Sequence, residues 1–472
     1  MDEAIEGSDG APGAGASLVV MSNRGPLNFT HGPDGELQAR RSAGGLVVTL
    51  GPGVERAGAL WMASAISDAD RTAASRGVVE SDGFRLRSLV IEPDTYRAYY
   101  DVVANGSLWY VLHGLWDLPR RPRFDRHWHR AWDAYVAVNR HFADAAAQVA
   151  GPDATVLVQD YHLALVPGAL GAARPDLHVT TFLHTPWCSP AEFAVLPDRV
   201  GRAVLEGLAG GGGRGSVGFH SPRWARAFEA CCHEVLGRCP PTFVAPAAPD
   251  AADTRSVAAS PACAEALASL DAEVGDRRLI VRVDRIELSK NVLRGFHAFD
   301  ELLGERADLR GRVVFGAFVY PSRQGLADYL AYGQEVVTLS RVINERWGTP
   351  EWTPILLDAD DGYPLSVAAM RRADVLLVNP VRDGLNLVAK ELAIANERDA
   401  VLVLSRQAGC WEELRDHALV VNPFDVTATA AALGRALDMP AAERRERAAA
   451  LRKLVEARTP IDWFDDLVRA AG

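Results

Sequence analysis

The sequence predicts an α/β protein of two doubly wound, parallel-sheet domains that face each other. Three observations carry that prediction. Short, continuous apolar runs recur along the chain with helical stretches between them. Strands apolar on both faces must be covered on both, as in a parallel sheet with helices above and below. The runs also fall into an early and a late group, and 472 residues exceed what one hydrophobic core ordinarily supports.

Taken in order, residues 1–17, MDEAIEGSDGAPGAGAS, are rich in Gly, Ala and acids. They lack the basic and apolar regions of a signal peptide and read as a disordered tail on a cytoplasmic protein. The first domain, 18–240, contains the strands SLVVMSN (17–23), ATVLVQD (154–160), HVTTFLH (178–184) and GSVGFHS (215–221), and a long helix over 130–150. Residues 241–275 read as an interdomain region. They take in most of the Pro/Ala/Asp-rich stretch 238–262, which has little periodicity, although its first part leaves room for a strand. The second domain, 276–455, contains RLIVRVD (278–284), RVVFGAF (312–318), TPILLD (353–358), DVLLVNP (374–380), AVLVLS (400–405) and ALVVNP (418–423), with a long helix over 325–348. Residues 456–472 form a C-terminal helix expected to pack back on the first domain.

Composition excludes several classes. A net charge of −11 argues against a sequence-independent nucleic-acid binder, which needs a basic face. A local arginine cluster still permits small anionic ligands. No run approaches the roughly 18 apolar residues of a membrane helix. Cys188, Cys231, Cys232, Cys239, Cys263 and Cys410 are scattered, as reduced and mostly buried thiols would be. CCHEVLGRC has poor zinc spacing, and His127 and His129 at i,i+2 do not share a helix face. The glycine loop 209–216 precedes a strand, so it reads as a connector rather than a phosphate cradle. Asp358, Asp360 and Asp361 read as loop solvation rather than a metal site. No Ser-His-Asp, zinc or dinucleotide fingerprint stands out.

The strand ends carry the chemistry. Ser22-Asn23-Arg24, Asp160-Tyr161-His162, His184-Thr185-Pro186-Trp187, Asp284-Arg285 with Lys290, Arg323, and Arg382-Asp383 all follow strands. In a doubly wound sheet such positions surround the ligand crevice. Arg24, Arg285, Arg323 and Lys290 suit phosphate oxygens. Gly44 and Gly45 let backbone N–H groups approach an anion. The turn Asp383-Gly384-Leu385-Asn386-Leu387 is expected to open a helix whose first N–H groups are unpaired. Asp383 can accept sugar hydroxyls. Glu391, two helical turns beyond Asp383, could hold a ribose diol.

The motifs SNRGP, SAGGL, AYYDVVANGSLW, QDYHLALVP, FLHTPW, VDRIELSKN, YPSRQ, NPVRDGLNLVAKE, VLSRQAG and VVNPFD occur in this order. Together they closely resemble the trehalose-6-phosphate synthase family of retaining glycosyltransferases, from about residue 18 to the C-terminus, in an actinomycete-like form. The resemblance implies a GT-B fold with the active site in the cleft between two Rossmann-like domains. It implies glucose transfer from UDP- or GDP-glucose to glucose 6-phosphate, with no metal and no other cofactor. Arg285, Lys290 and Gly45 would hold the donor diphosphate. Asp383, Gly384, Leu385, Asn386, Leu387 and Val388 would hold the donor glucose, with His184 beside it, and Glu391 the ribose. Arg24, Tyr100, Trp109 and Arg323 would surround the acceptor phosphate, and Asp160 the acceptor hydroxyls. A different sugar-phosphate acceptor is the alternative within the fold, and a non-catalytic sugar-phosphate sensor the alternative outside it. The sequence leaves room for a homo-oligomer. Four departures from many relatives stand out: Gln159, where they have His; Asn291, where they have Gly; the 209–216 loop, which replaces a more regular segment; and residues 243–260, which lack the usual glycine-containing turn.

Overall fold

A computed structural model describes residues 15–32, 34–42, 44–210, 214–359 and 362–472. The chain divides into two compact units: residues up to Ala247 together with Pro460–Gly472, and Ala248–Thr459.

Among the described residues the first unit carries ten strands: β1 (Ala16–Met21), β2 (Leu27–His31), β3 (Leu37–Arg41), β4 (Leu60–Ala65), β5 (Val78–Ser81), β6 (Phe84–Val90), β7 (Ala150–Gln159), β8 (His178–Leu183), β9 (Gly215–Phe219) and β10 (Thr242–Val244). Eight of them form one sheet in the order β10-β9-β8-β7-β1-β4-β6-β5, while β2 and β3 make a separate hairpin. All neighbours in the large sheet are parallel except β5 and β6. The chain builds outward from β1 through β4 and β6, then returns to β7 and builds the other way. The order therefore reverses between β1 and β7.

The second unit carries β11 (Arg278–Ile286), β12 (Val313–Pro321), β13 (Ile355–Asp358), β14 (Val375–Val378), β15 (Val401–Ser405) and β16 (Leu419–Val421). They are all parallel, in the order β13-β12-β11-β14-β15-β16. Here the reversal lies between β11 and β14. The apolar runs are the buried middles of these strands: Val19 to Met21, Val156 to Val158, Leu279 to Val281 and Leu402 to Leu404 are wholly or almost wholly inaccessible.

The two long helices form at Arg126–Val149 and Ala327–Trp347. The first begins a turn earlier than the sequence suggests, because Asp125 accepts the His127 and Trp128 N–H groups.

Two boundary expectations are corrected. Ala16 and Ser17, assigned to the tail, belong to β1, where Ala16 pairs with Ala150. The stretch 241–275 is not one interdomain segment. Its start is β10, paired with β9, the strand for which the sequence left room, and beyond it Ala251–Ala258 and Pro261–Val274 are helices of the second unit. Local capping explains these helices better than periodicity does: Asp250 accepts the Ala252 and Asp253 N–H groups, and Ser260 accepts that of Cys263.

The final helix, Pro460–Arg469, belongs to the first unit. It packs on the helix Gly45–Ala57, where Phe464 fills the space beside Gly53 that any side chain would need. Trp463 is wholly buried and donates its indole N–H to the Ala245 carbonyl at 2.9 Å. Deleting so large a buried side chain ordinarily costs about 3–5 kcal/mol, so this helix is part of the first unit's core.

Candidate active site

In the second unit β11 and β14 pair only at Ile280↔Val375 and Val281↔Leu376, so the strands part before they end. Their loops meet above the gap. Lys290 Nζ lies 2.7 Å from Asp383 Oδ2 and 3.8 Å from Asp284 Oδ1. Burial disfavours the ammonium, but Asp383, Asp284 and Glu287 outweigh it, and the Lys290 pKa is raised. The site thus holds Lys290 charged at any physiological pH.

Arg282, in the middle of β11, is wholly buried. It lies 3.0 Å from Asp284 Oδ2, donates to Asn379 Oδ1 at 2.6 Å and bonds the Lys290 carbonyl. One buried guanidinium therefore ties both loops to the sheet. Arg285, half-exposed at the strand end, pairs with Glu287 at 3.0 Å, and Ser322 Oγ donates to the same carboxylate oxygen. Arg323 follows β12 and rests over the Tyr329 ring.

The turn after β14 differs from its sequence reading. The helix starts at Val388, not at Asp383. Glu391 therefore sits in its first turn, not two turns in. Asn386 adopts φ 81° and uses both ends of its amide: Oδ1 accepts the Ala389 N–H at 3.0 Å, and Nδ2 donates to Asp383 Oδ2 at 3.2 Å. One of the early helix donors is thus already capped. The turn is held from behind by Asp383 N–H to the Gln407 carbonyl and Cys410 N–H to the Leu385 carbonyl. Lys390 is buried and pairs with Glu413 at 2.8 Å, which fixes the roll of the helix.

In the first unit the loops after β1 and β7 meet at the other reversal. Asn23 donates to Tyr96 Oη at 3.0 Å and accepts from Tyr99 Oη at 3.1 Å. This holds the turn so that the exposed Arg24 reaches Tyr100 Oη at 3.5 Å. Tyr100 is sandwiched between Tyr96 (5.3 Å) and His162 (5.6 Å). It rides on a π-helix, Ala98–Leu108, a rare geometry that recurs at functional sites. Trp109 follows directly, with its ring against His113 at 4.1 Å and only 3 % exposed. Gly45 is the first residue of its helix, and Gly44 before it has no side chain with which to cap the early amides.

Asp160 has φ 71° and ψ 167°, a region essentially reserved for glycine. Its Oδ1 accepts the His184 N–H at 3.3 Å. The His184 ring uses both nitrogens within the unit, with Gln159 Oε1 at 2.9 Å and His220 Nε2 at 3.1 Å.

Among the described residues seven non-glycine residues have positive φ, and Asp160, Asn291, Arg323 and Asn386 are four of them. All four lie in the strand-end loops already singled out, where strain tends to be kept for function. Asn291 explains its own departure from glycine. The position needs φ 62°, which Asn tolerates, and the Asn amide also bonds the Asn379 and Pro423 carbonyls. Sequence reading missed the roles of Arg282 and His220, which lie inside the runs RLIVRVD and GSVGFHS, and of Gln407, which lies inside VLSRQAG. The 209–216 loop is described only in part, and Asp360 and Asp361 lie outside the described residues.

Two parallel-sheet α/β units, each with a polar loop cluster at its strand-order reversal, have the build of a GT-B glycosyltransferase. The glycosyltransferase family 20 profile matches residues 16–471, and the chain belongs to that family. It is 34% identical over 484 residues to a trehalose-6-phosphate synthase of Mycolicibacterium gilvum, covering 97% of this chain and 93% of that one. The corresponding enzyme of Mycolicibacterium smegmatis is 32% identical, with the same coverage. Among solved structures, an Escherichia coli protein bound with UDP-2-fluoro glucose has a TM-score of 0.84 at 28% identity, covering 96% of this chain and 98% of that one. A UDP-forming α,α-trehalose-phosphate synthase from Burkholderia xenovorans in complex with glucose 6-phosphate has a TM-score of 0.84 at 28% identity, covering 97% and 100%. No helix among the described residues is long and apolar enough to cross a membrane.

Proposed function

We propose that this chain is a retaining glucosyltransferase that moves glucose from a nucleoside-diphosphate glucose to glucose 6-phosphate, forming α,α-trehalose 6-phosphate. The observation that carries the proposal is the Lys290–Asp383 pair at the second unit's reversal, where a cation and a hydroxyl acceptor share one buried spot. The named relatives support the acceptor and the product. The UDP-forming solved relatives favour UDP-glucose, with GDP-glucose as the other donor.

In this reading Arg285 and Lys290 take the donor diphosphate, with the Gly45 amide adding a donor. Phosphate oxygens would replace Asp383 as the partner of Lys290 and free that carboxylate for glucose hydroxyls. The amides of Gly384 to Leu387 and Val388 face the same sugar, and Glu391 takes the ribose. Arg24, Tyr100, Trp109 and Arg323 serve the acceptor phosphate, and Asp160 its hydroxyls. Breaking the glycosidic bond leaves negative charge on the diphosphate. Fixed cations stabilise that charge more than they stabilise the ground state, and this difference is what accelerates the step. The leaving phosphate would take the acceptor hydroxyl's proton on the same face, giving retention without a protein nucleophile. The two cations would do the work a metal does elsewhere.

The test is a product assay. Purified protein with glucose 6-phosphate and UDP- or GDP-glucose, in the presence of a chelator, should give trehalose 6-phosphate. Turnover that stops with the chelator and returns with added metal would overturn the metal-independent part. No trehalose 6-phosphate with either donor would overturn the reaction.

A further inference from the structure

Gln159, His184 and His220 form a hydrogen-bonded chain whose direction is fixed at one end. The Ala247 amide can only donate, and it lies 3.3 Å from His220 Nδ1. That nitrogen is an acceptor, so the neutral His220 ring carries its proton on Nε2. His220 Nε2 then donates to His184 Nδ1 at 3.1 Å. His184 in turn carries its proton on Nε2, and Gln159 Oε1 accepts it at 2.9 Å. Burial pushes the His184 imidazole down to about 3, so the ring stays neutral. Phe182 lies 5.2 Å from the His184 ring, and Trp463 lies 6.1 Å from His220 in a stacked arrangement.

Gln159 is 1 % exposed, and its Nε2 has no hydrogen-bond partner among the described residues. An unsatisfied buried amide group costs about 1–3 kcal/mol. The structure accepts that cost at a position where only the oxygen is used.

The next residue completes the grip. Asp160 Oδ1 accepts the His184 backbone N–H, while the Asp160 N–H donates to the Phe182 carbonyl at 2.8 Å. Two successive residues at the end of β7 therefore hold His184 from two sides, one by its ring and one by its backbone. A non-glycine residue persists in a glycine-only conformation when its surroundings over-determine it. Here the surroundings include the His184 N–H and the Phe182 carbonyl, with the Leu163 N–H donating to the Asp160 carbonyl at 3.2 Å.

We propose that Gln159 and His220 are positioning residues that lock the His184 ring in its Nε2–H form and so hold Asp160 in the strained conformation from which its carboxylate meets the substrate. The proposal rests on the reading of Asp160 as a substrate-binding residue. Neither Gln159 nor His220 touches substrate in it. Removing the acceptor at 159, or the donor at 220, frees the ring to turn and Asp160 to relax.

Two readouts test it. In protein labelled with 15N-histidine, His184 and His220 should both be neutral with the proton on Nε2, and Gln159→Leu should change the His184 pattern. In steady-state kinetics, Gln159→Leu and His220→Leu should lower kcat by about 10- to 100-fold, the scale of a small misplacement of a reacting group, with donor KM little changed. His220→Gln supplies both a donor and an acceptor, and should recover most of the lost kcat. A charged or Nδ1-protonated His184 in the unmodified protein would overturn the proposal. So would full kcat in both leucine variants, or a His220→Gln variant no better than His220→Leu at equal melting temperature. If the unmodified protein makes no trehalose 6-phosphate, the functional reading fails, and the proton positions still decide whether the chain exists.

Discussion

Lys290 Nζ and Asp383 Oδ2 lie 2.7 Å apart, one on the loop that leaves β11 and the other on the loop that leaves β14. The strands that carry them stop pairing well before those loops, so the ion pair spans the mouth of the gap at the strand-order reversal. Both side chains are largely buried, and an unpaired buried charge is expensive. Each is therefore the other's partner until a ligand of matching charge arrives.

Lys290→Ala and Asp383→Ala should each lower turnover by about 100-fold or more, the scale seen when one charge-stabilising group is removed from a reaction centre. Because the two side chains touch each other, the double variant should fall less than the two losses combined. Initial rates of trehalose 6-phosphate formation, with circular dichroism to confirm folding, measure this. Near-normal turnover in a folded Asp383→Ala protein would remove that residue from the site.

Glu391 should make stability depend on pH in an uncommon direction. Burial, assisted by Asp253, pushes its carboxyl from 4.5 up to about 7. Between those values the folded protein keeps a proton that the unfolded chain has released. The stability this group contributes is thus full below about pH 4.5, falls as pH rises to about 7, and is flat above. Glu391→Gln should remove that slope and melt higher than the unmodified ligand-free protein at pH 8. Thermal melts from pH 4.5 to 8 compare them, and identical slopes would mean that Glu391 titrates like an exposed carboxylate.

Asn291 offers a graded test of conformation against hydrogen bonding. Asn291→Gly keeps the φ 62° backbone and loses the amide bonds to the Asn379 and Pro423 carbonyls. Asn291→Ala loses those bonds and adds left-handed strain of about 1–2 kcal/mol. Melting temperature should fall in the order Asn, Gly, Ala. An alanine variant as stable as the glycine variant would show that the backbone relaxes there.

Gly409 sits directly behind the turn that begins at Asp383, and a Cβ there would overlap the Gly384 carbonyl. Gly409→Ala should therefore push the turn out of place and weaken nucleotide-sugar binding by about tenfold or more, with a smaller effect on acceptor KM. Calorimetric titration with UDP-glucose or GDP-glucose reads this directly. Unchanged donor affinity would mean that the turn does not face the donor.

The alternation of apolar runs and helices by itself points to two parallel sheets, because buried parallel strands must be apolar on both faces. Central β4 escaped that reading: LWMASA has no β-branched residue, and its place between β1 and β6 comes from pairing alone. The strand-end residues were also legible, since Arg24, Asp160, His184, Arg285, Lys290, Arg323 and Asp383 each lie within a few residues of the end of an apolar run. What they hold was not. That Lys290 and Asp383 grip each other, that buried Arg282 ties both loops to the sheet, and that His220 reaches His184 from another strand all depend on which strands end side by side. Local sequence sets backbone preference and polarity over a few residues. Partners far apart along the chain are chosen by strand order, and that choice is made only when the sheet closes its core.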